Sequence, residues 1–191
     1  MLTREEMLRI FQDTEAMLTG HFRLTSGRHS DCYIQCAMVL QHSRHTEKLC
    51  RELAGRFAGA GVTAVIGPAM GGIIVSYEVA RALDARSLFA ERENGVMTLR
   101  RGFALKPGEK VLVVEDVTTT GGSVREVIEM VRRLGGAVAG AGVLVDRSGG
   151  RANLGVPTEA LLTMEAVSYA PEDCPLCRAG IPAVKPGSRN L

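Results

Sequence analysis

The stretch Val111-Leu112-Val113-Val114-Glu115-Asp116-Val117-Thr118-Thr119-Thr120-Gly121-Gly122-Ser123 decides how the rest of this chain is read. Its four consecutive aliphatic residues lack polar alternation, which predicts a strand covered on both faces, as in a parallel sheet. The polar residues 115–122 predict a loop, and Ser123 the start of a helix to Leu134 that turns Val124, Val127, Ile128 and Val131 inward. Ligands of open α/β sheets bind outside the carboxyl ends of strands, where this loop falls. Free backbone N–H groups and the positive end of the helix dipole suit a phosphate. Gly121 and Gly122 let the backbone come close to the anion, and Thr118, Thr119 and Thr120 add hydroxyl donors. Glu115 and Asp116 would repel that phosphate, so they fit ribose hydroxyls or a divalent cation bound with the ligand. Together these features describe a site for a ribose 5-phosphate. The loop is not a Walker A motif, which would end in Gly-Lys-Ser/Thr, and it lacks the Gly-x-Gly-x-x-Gly of dinucleotide sites.

Working outward, Val62-Thr63-Ala64-Val65-Ile66 predicts a second buried strand, followed by a glycine-rich turn at 67–72 and a helix to Leu83. Ser87-Leu88-Phe89-Ala90 predicts a short strand, and Met97-Thr98-Leu99 an extended piece within a charged stretch that turns at Pro107-Gly108. Residues 138–145 form the next strand, ending at Asp146-Arg147, and residues 159–164 another. Strands alternating with helices predict an α/β fold with a mainly parallel central sheet flanked by helices. At the N-terminus, Thr3 and Glu6 make a capping box. Met7, Ile10, Phe11, Thr14, Met17 and Leu18 follow at helical spacing, predicting a helix closed by Gly20. A turn at 25–27, a strand around 33–35, a helix over about 46–58 and an irregular tail from Pro171 complete the reading.

The whole chain, 191 residues with 46% hydrophobic and 23% charged content, fits one globular domain and excludes wholesale disorder. A net charge of +2, no tryptophan and 4% aromatic residues offer neither a basic field nor stacking platforms, so no nucleic-acid partner is expected. The longest uncharged run, 57–77, contains five glycines and Pro68 and reads as strand, turn and helix start, so no membrane span is expected. The first residues lack the order of a secretory signal, and five cysteines are an odd number in a chain able to build its own core; a cytoplasmic location follows.

The 111–123 segment resembles the phosphoribosyl pyrophosphate (PRPP) motif of the type I phosphoribosyltransferases, an apolar strand, two acids and a Thr/Gly-rich loop. Within that family the resemblance is to the members acting on orotate. It rests on Gly20-His21-Phe22-Arg23-Leu24-Thr25-Ser26-Gly27-Arg28-His29-Ser30, Gly67-Pro68-Ala69, Phe89-Ala90-Glu91-Arg92, Val145-Asp146-Arg147 and Cys174-Pro175-Leu176-Cys177, which span nearly the whole chain. The resemblance implies transfer of a phosphoribosyl group from PRPP to orotate, with Mg²⁺ carried by PRPP rather than by protein ligands. It assigns PRPP binding to Glu115, Asp116, Val117, Thr118, Thr119, Thr120, Gly121, Gly122 and Ser123, with Glu115 and Asp116 near the ribose hydroxyls. Thr119 and Arg147 would contact orotate, a guanidinium fork being well matched to a carboxylate-bearing base. It further implies a homodimer, a hood over the base built from residues 1–40 and the C-terminal segment, and a mobile loop at 91–106 that reaches the neighbouring subunit. Arg92 would act catalytically there, with Arg100 and Arg101 adding charge toward the departing pyrophosphate. Tyr33-Ile34 matches the segment covering the base and reads equally well as a buried strand pair.

Many family members carry lysine where this chain has Thr25 and Gly71, and in the mobile loop, where this sequence has none between Glu91 and Leu105. Arginine stays protonated at working pH, so it stabilises charge without acting as a general acid. A purine phosphoribosyltransferase would share the PRPP loop but give Arg147 no task, and a PRPP-sensing regulator would need a nucleic-acid-binding element that this chain lacks. Cys174 and Cys177 have a metal-like spacing, but a structural zinc needs four ligands and no second paired motif is visible. The four histidines, His21, His29, His42 and His45, are expected at the surface.

Overall fold

The computed structural model describes residues 1–24, 26–165 and 167–185. Thr25, the first residue of the expected 25–27 turn and one of the two positions where lysine is common in the family, lies outside them.

The central strand is β6 (Lys110–Thr118), whose Val111, Leu112, Val113 and Val114 are fully buried. Leu112 and Val114 face one hydrophobic cluster while Val111 and Val113 face another, the two-sided burial that an unbroken aliphatic run requires. Each such side chain contributes roughly 1.5–3 kcal/mol by leaving water. Around it lie β3 (Ala64–Pro68), β4 (Arg86–Glu93), β5 (Val96–Leu99), β7 (Ala137–Asp146) and β8 (Thr158–Thr163). The sheet order is β5-β4-β3-β6-β7-β8, all pairs parallel except β4 with β5. Helix α4 (Gly71–Leu83) carries the chain from β3 outward to β4, and α5 (Gly122–Arg133) carries it from β6 outward to β7. The chain therefore leaves β3 and β6 in opposite directions, and the switch point lies between their carboxyl ends. Helix α5 buries Val124, Val127, Ile128 and Val131, the face its spacing predicts. Helices α1 (Arg4–Asp13), α2 (Cys36–Leu40), α3 (Ser43–Gly55) and α4 contribute to the other cluster.

Several boundaries differ from the sequence reading. Strand β3 lies at Ala64–Pro68 rather than 62–66, and the strand expected around 33–35 runs His29–Ile34. The first helix stops at Asp13 rather than at Gly20. Thr14 Oγ1 donates to the Ile10 carbonyl at 2.7 Å, Glu15 turns left-handed at φ 54°, and the Ala16 N–H donates to Phe11 O at 2.9 Å. This Schellman-type stop frees Met17 and Leu18 to pair with Ile34 and Tyr33 in the hairpin of β1 (Met17–Arg23) and β2 (His29–Ile34). Helix α3 begins at Ser43 and ends at Gly55, earlier at both ends than expected. Residues 115–118, expected in a loop, continue strand β6, because β7 is long enough to pair with them as far as Thr118↔Asp146.

As far as residue 185, the tail is more ordered than its composition suggests. A 3₁₀ turn at Pro171–Asp173 and a short helix α6 (Pro175–Arg178) precede residues that dock on the β1–β2 hairpin. Val184 exchanges backbone hydrogen bonds with His21 and Arg23, each at 2.8 Å, and Tyr169 exchanges two with His29. That docking overturns the surface placement of two histidines: His21 and His29 are buried, at 4% and 7% exposure. His42 is exposed and His45 half-buried.

Candidate active site

The carboxyl end of β6 delivers Glu115 and Asp116 into the switch point. Glu115 Oε1 accepts from the Asp116 N–H at 3.2 Å, and Asp116 Oδ1 accepts from the Val117 N–H at 2.8 Å. Among the described residues neither carboxylate has a basic partner. Burial, and then the charge of Asp116, push Glu115 up to about 9, and burial raises Asp116 as well. Burial thus disfavours a second negative charge on this pair in the ligand-free site. This uncompensated pair fits a ribose accompanied by Mg²⁺.

Beyond the acids, the chain runs through Thr119 and Thr120, both exposed, into Gly121 at φ 78°. Gly121, not Ser123, is the N-cap of α5, and no side chain caps that helix. The left-handed conformation at Gly121 favours glycine, and a Cβ there would also have to push aside the side-chain ends of Leu154 and Arg125. The first-turn amides of α5 are left to an external acceptor, the arrangement a phosphate requires. They border a cleft of about 220 Å³ lined by Arg92, Glu115, residues 117–124 and Glu126.

The second strand end faces the first. Helix α4 also starts without a side-chain cap, at Met70. A Cβ at Gly71 would overlap the Asp116 carboxylate, and one at Gly67 would overlap the Gly72 carbonyl. Gly67 is needed for close backbone packing, and a side chain at position 71 would have to displace the Asp116 carboxylate, so in this chain the turn offers an anion only backbone.

Arg92 lies on β4 rather than in a free loop. Its guanidinium reaches this chain's own cleft, paired with Glu126 of α5 at 2.7 Å and with the Gly95 carbonyl at 3.0 Å. Residues 90–99 are an antiparallel hairpin closed by Asn94-Gly95, both at positive φ. Arg101 makes a two-pronged contact with Glu91, and Arg100 pairs with Glu93 at 3.3 Å, so both are engaged on their own hairpin.

Arg147 follows β7, its N–H donating to the Thr118 carbonyl at 2.8 Å. It is half-buried, and its charge is felt at Cys32 and Cys36, which puts it within electrostatic reach of the β1–β2 hairpin and the start of α2. Among the described residues it has no carboxylate partner. Tyr33 on β2 donates to Gln35 Oε1 at 3.0 Å, while Ile34 is buried in the core. The sequence reading missed Glu126 as the partner of Arg92 and Asp116 as the reason for Gly71, and neither leaves a local signal.

A cleft at the switch point of a parallel sheet, with an acid pair and a bare helix terminus, defines a sugar-phosphate-binding α/β protein. Residues 38–154 match the family model described as "Phosphoribosyl transferase domain", and the chain belongs to the phosphoribosyltransferase family. An orotate phosphoribosyltransferase of Pelotomaculum thermopropionicum is 75% identical over 190 residues, covering 100% of both chains. The crystal structure of orotate phosphoribosyltransferase from Aeropyrum pernix superposes with a TM-score of 0.68 at 31% identity, over 81% of this chain and 92% of that one. Adenine phosphoribosyltransferase from Rhodothermus marinus shares the fold, with a TM-score of 0.66 at 21% identity, over 82% and 99% of the two chains. The fold therefore accommodates more than one base, and the base-side residues must make the choice.

Proposed function

We propose that this chain transfers the 5-phosphoribosyl group from PRPP to orotate, yielding orotidine 5′-monophosphate and pyrophosphate, a step of pyrimidine nucleotide synthesis. The observation that carries this reading is the uncapped α5 terminus beside the Glu115–Asp116 pair. Arg147, half-buried beyond Thr118 and without a carboxylate partner among the described residues, supports orotate over a neutral purine, because its charge has a natural partner in the base carboxylate.

The 5-phosphate sits on the amides of residues 121–123 and the hydroxyls of Thr118 to Thr120. Asp116 and Glu115 hold the ribose hydroxyls and favour the positive charge that develops on the ring as pyrophosphate departs. Glu115 and Asp116 are the residues that would face a Mg²⁺ ion bound with PRPP, which would supply charge compensation to the leaving group. Arg92 contributes a fixed positive charge on the same side of the cleft, and the orotate nitrogen attacks the anomeric carbon. No protein nucleophile is required. Thr119 and Arg147 orient the base, and residues 91–106 exclude water that would capture the ribosyl cation.

A homodimer completes the reading. Helix α4 leaves Met70, Ile74 and Tyr77 exposed at helical spacing beside the site, an apolar stripe suited to a second copy. Five cysteines, none in a disulfide, suit a cytoplasmic location, and no helix among the described residues is long and apolar enough to cross a membrane. The test is loss of orotate, followed by its ultraviolet absorbance, with PRPP and Mg²⁺ together and with each omitted. Consumption only in the complete mixture is expected. Consumption of a purine instead, or PRPP binding without turnover, would overturn the assignment.

A further inference from the structure

The docked tail creates a second cluster, away from the cleft. His21 on β1, His29 on β2, Cys174 at the N-cap of α6 and Cys177 within α6 each present a ligand atom, and all four atoms lie within 4.8 Å of one another. Cys177 Sγ is 3.3 Å from His29 Nδ1, Cys174 Sγ is 3.4 Å from His21 Nε2, and the two ring nitrogens are 2.8 Å apart. Bond lengths of about 2.0–2.3 Å to nitrogen and sulfur make the edges of a zinc tetrahedron about 3.3–3.8 Å, so the four atoms need only small shifts to surround one ion.

The surroundings also fit. His21 Nδ1 lies 2.6 Å from the Ile181 carbonyl, which can only accept, so that nitrogen carries the proton and Nε2 turns its lone pair to the cluster. A backbone carbonyl behind a histidine is the usual outer support of a metal-binding imidazole. Cys174, His21 and His29 are buried, and Cys177 is exposed, leaving a path for an ion to enter. Two soft thiolates and two imidazoles in four-fold convergence select zinc over magnesium or calcium.

We propose that His21, His29, Cys174 and Cys177 bind one structural zinc ion that fastens the C-terminal segment to the β1–β2 hairpin. Binding releases the two thiol protons to solvent, so the ion and its two thiolates are neutral overall. The four positions are closed by protein atoms, which suits a structural rather than a catalytic ion. Among the described residues the hairpin and tail are joined otherwise by the backbone bonds of Tyr169 and Val184, the Arg28–Ser168 contacts, Ser30 Oγ donating to the Val167 carbonyl and His21 Nδ1 donating to that of Ile181. The ion would therefore hold in place the segments expected to cover the base.

The full chain is purified without a histidine tag under reducing conditions, and its metal content is measured by plasma mass spectrometry. One zinc per chain surviving dialysis is expected, with cobalt replacement giving the visible bands of a tetrahedral site and a thiolate charge-transfer band. The pair C174S and C177S together should lose the ion, and C32S should keep it. Should the double variant fail to fold, mercurial titration of the wild-type chain decides, zinc leaving in step with two thiols. Chelation should speed amide exchange in residues 17–34 and 171–184 while leaving 111–145 protected. Substoichiometric metal after zinc reconstitution, a Cys174–Cys177 disulfide in the reduced preparation, or retention of the ion by the folded double variant would each overturn the proposal.

Discussion

The phosphate side and the base side of the cleft are built in opposite ways. On the phosphate side, one run of chain from Glu115 to Ser123 supplies two acids, four hydroxyls and a helix terminus, met by the 67–72 turn and by Arg92 of β4. On the base side, Arg147 follows β7, the hairpin comes from residues 17–34, and the tail from beyond residue 167 closes over the hairpin. The first is rigid because it is the end of a buried parallel strand. The second depends on segments far apart in sequence staying docked. A contiguous site tolerates little change at any one residue, whereas an assembled one can be weakened from several places.

The largest effect is expected on the phosphate side. Asp116→Asn keeps the shape and removes the charge facing the ribose, and kcat/KM should fall by about 100-fold or more, as for lost electrostatic stabilisation of a transition state. Steady-state kinetics with a thermal melt will show this, and near-normal turnover with an unchanged melt would remove Asp116 from the chemistry. Arg147→Ala addresses the base side: the KM for orotate should rise about 10- to 100-fold, the worth of a charge-assisted hydrogen-bonded pair, with the KM for PRPP little changed. A larger effect on PRPP would place Arg147 on the wrong side of the comparison.

Smaller changes sharpen the boundary between the two. Arg92→Ala should lower kcat by about tenfold while PRPP binding to the resting enzyme, read by calorimetry, falls less. Glu126, its partner at 2.7 Å, is then left unpaired at the cleft wall. An unchanged kcat would make the Arg92–Glu126 pair a strut of the hairpin. The smallest effect concerns pH and Glu115. Its folded pKa is raised from 4.5 to about 9, so the stability gained from its protonated form is complete below the lower value and is lost as pH rises toward the higher one. The melting temperature of the ligand-free chain should therefore decline across that window, and Glu115→Gln should flatten the decline by a few degrees. A slope unchanged by the substitution would mean that another group titrates.

How much of each side could be read in advance follows from the same contrast. The aliphatic run at 111–114, the acids and the glycines lie within one strand-turn-helix unit, so periodicity and turn chemistry expose them directly. Even there the strand's end was misplaced, since residues 115–118 stay in β6 only because β7 offers them partners. Gly71 reads as a flexible turn residue, and only the folded chain shows the Asp116 carboxylate standing where a side chain would be. The spacing of Met17 and Leu18 continues a helix that Glu15 has already ended, because a tight stop leaves the apolar rhythm intact while reversing the chain.

By itself, then, the sequence determined the layered α/β architecture and the anion-binding turn, since both arise from interactions between near neighbours: buried aliphatic runs, glycine conformations and an uncapped helix. Tertiary structure alone decided the rest. It turned Arg92 toward Glu126, brought Arg147 within electrostatic reach of the hairpin, and set two histidines of the N-terminal strands against two cysteines more than a hundred residues away. Those placements depend on which surfaces the sheet and its helices leave open for the chain ends to cover, and no local pattern encodes that.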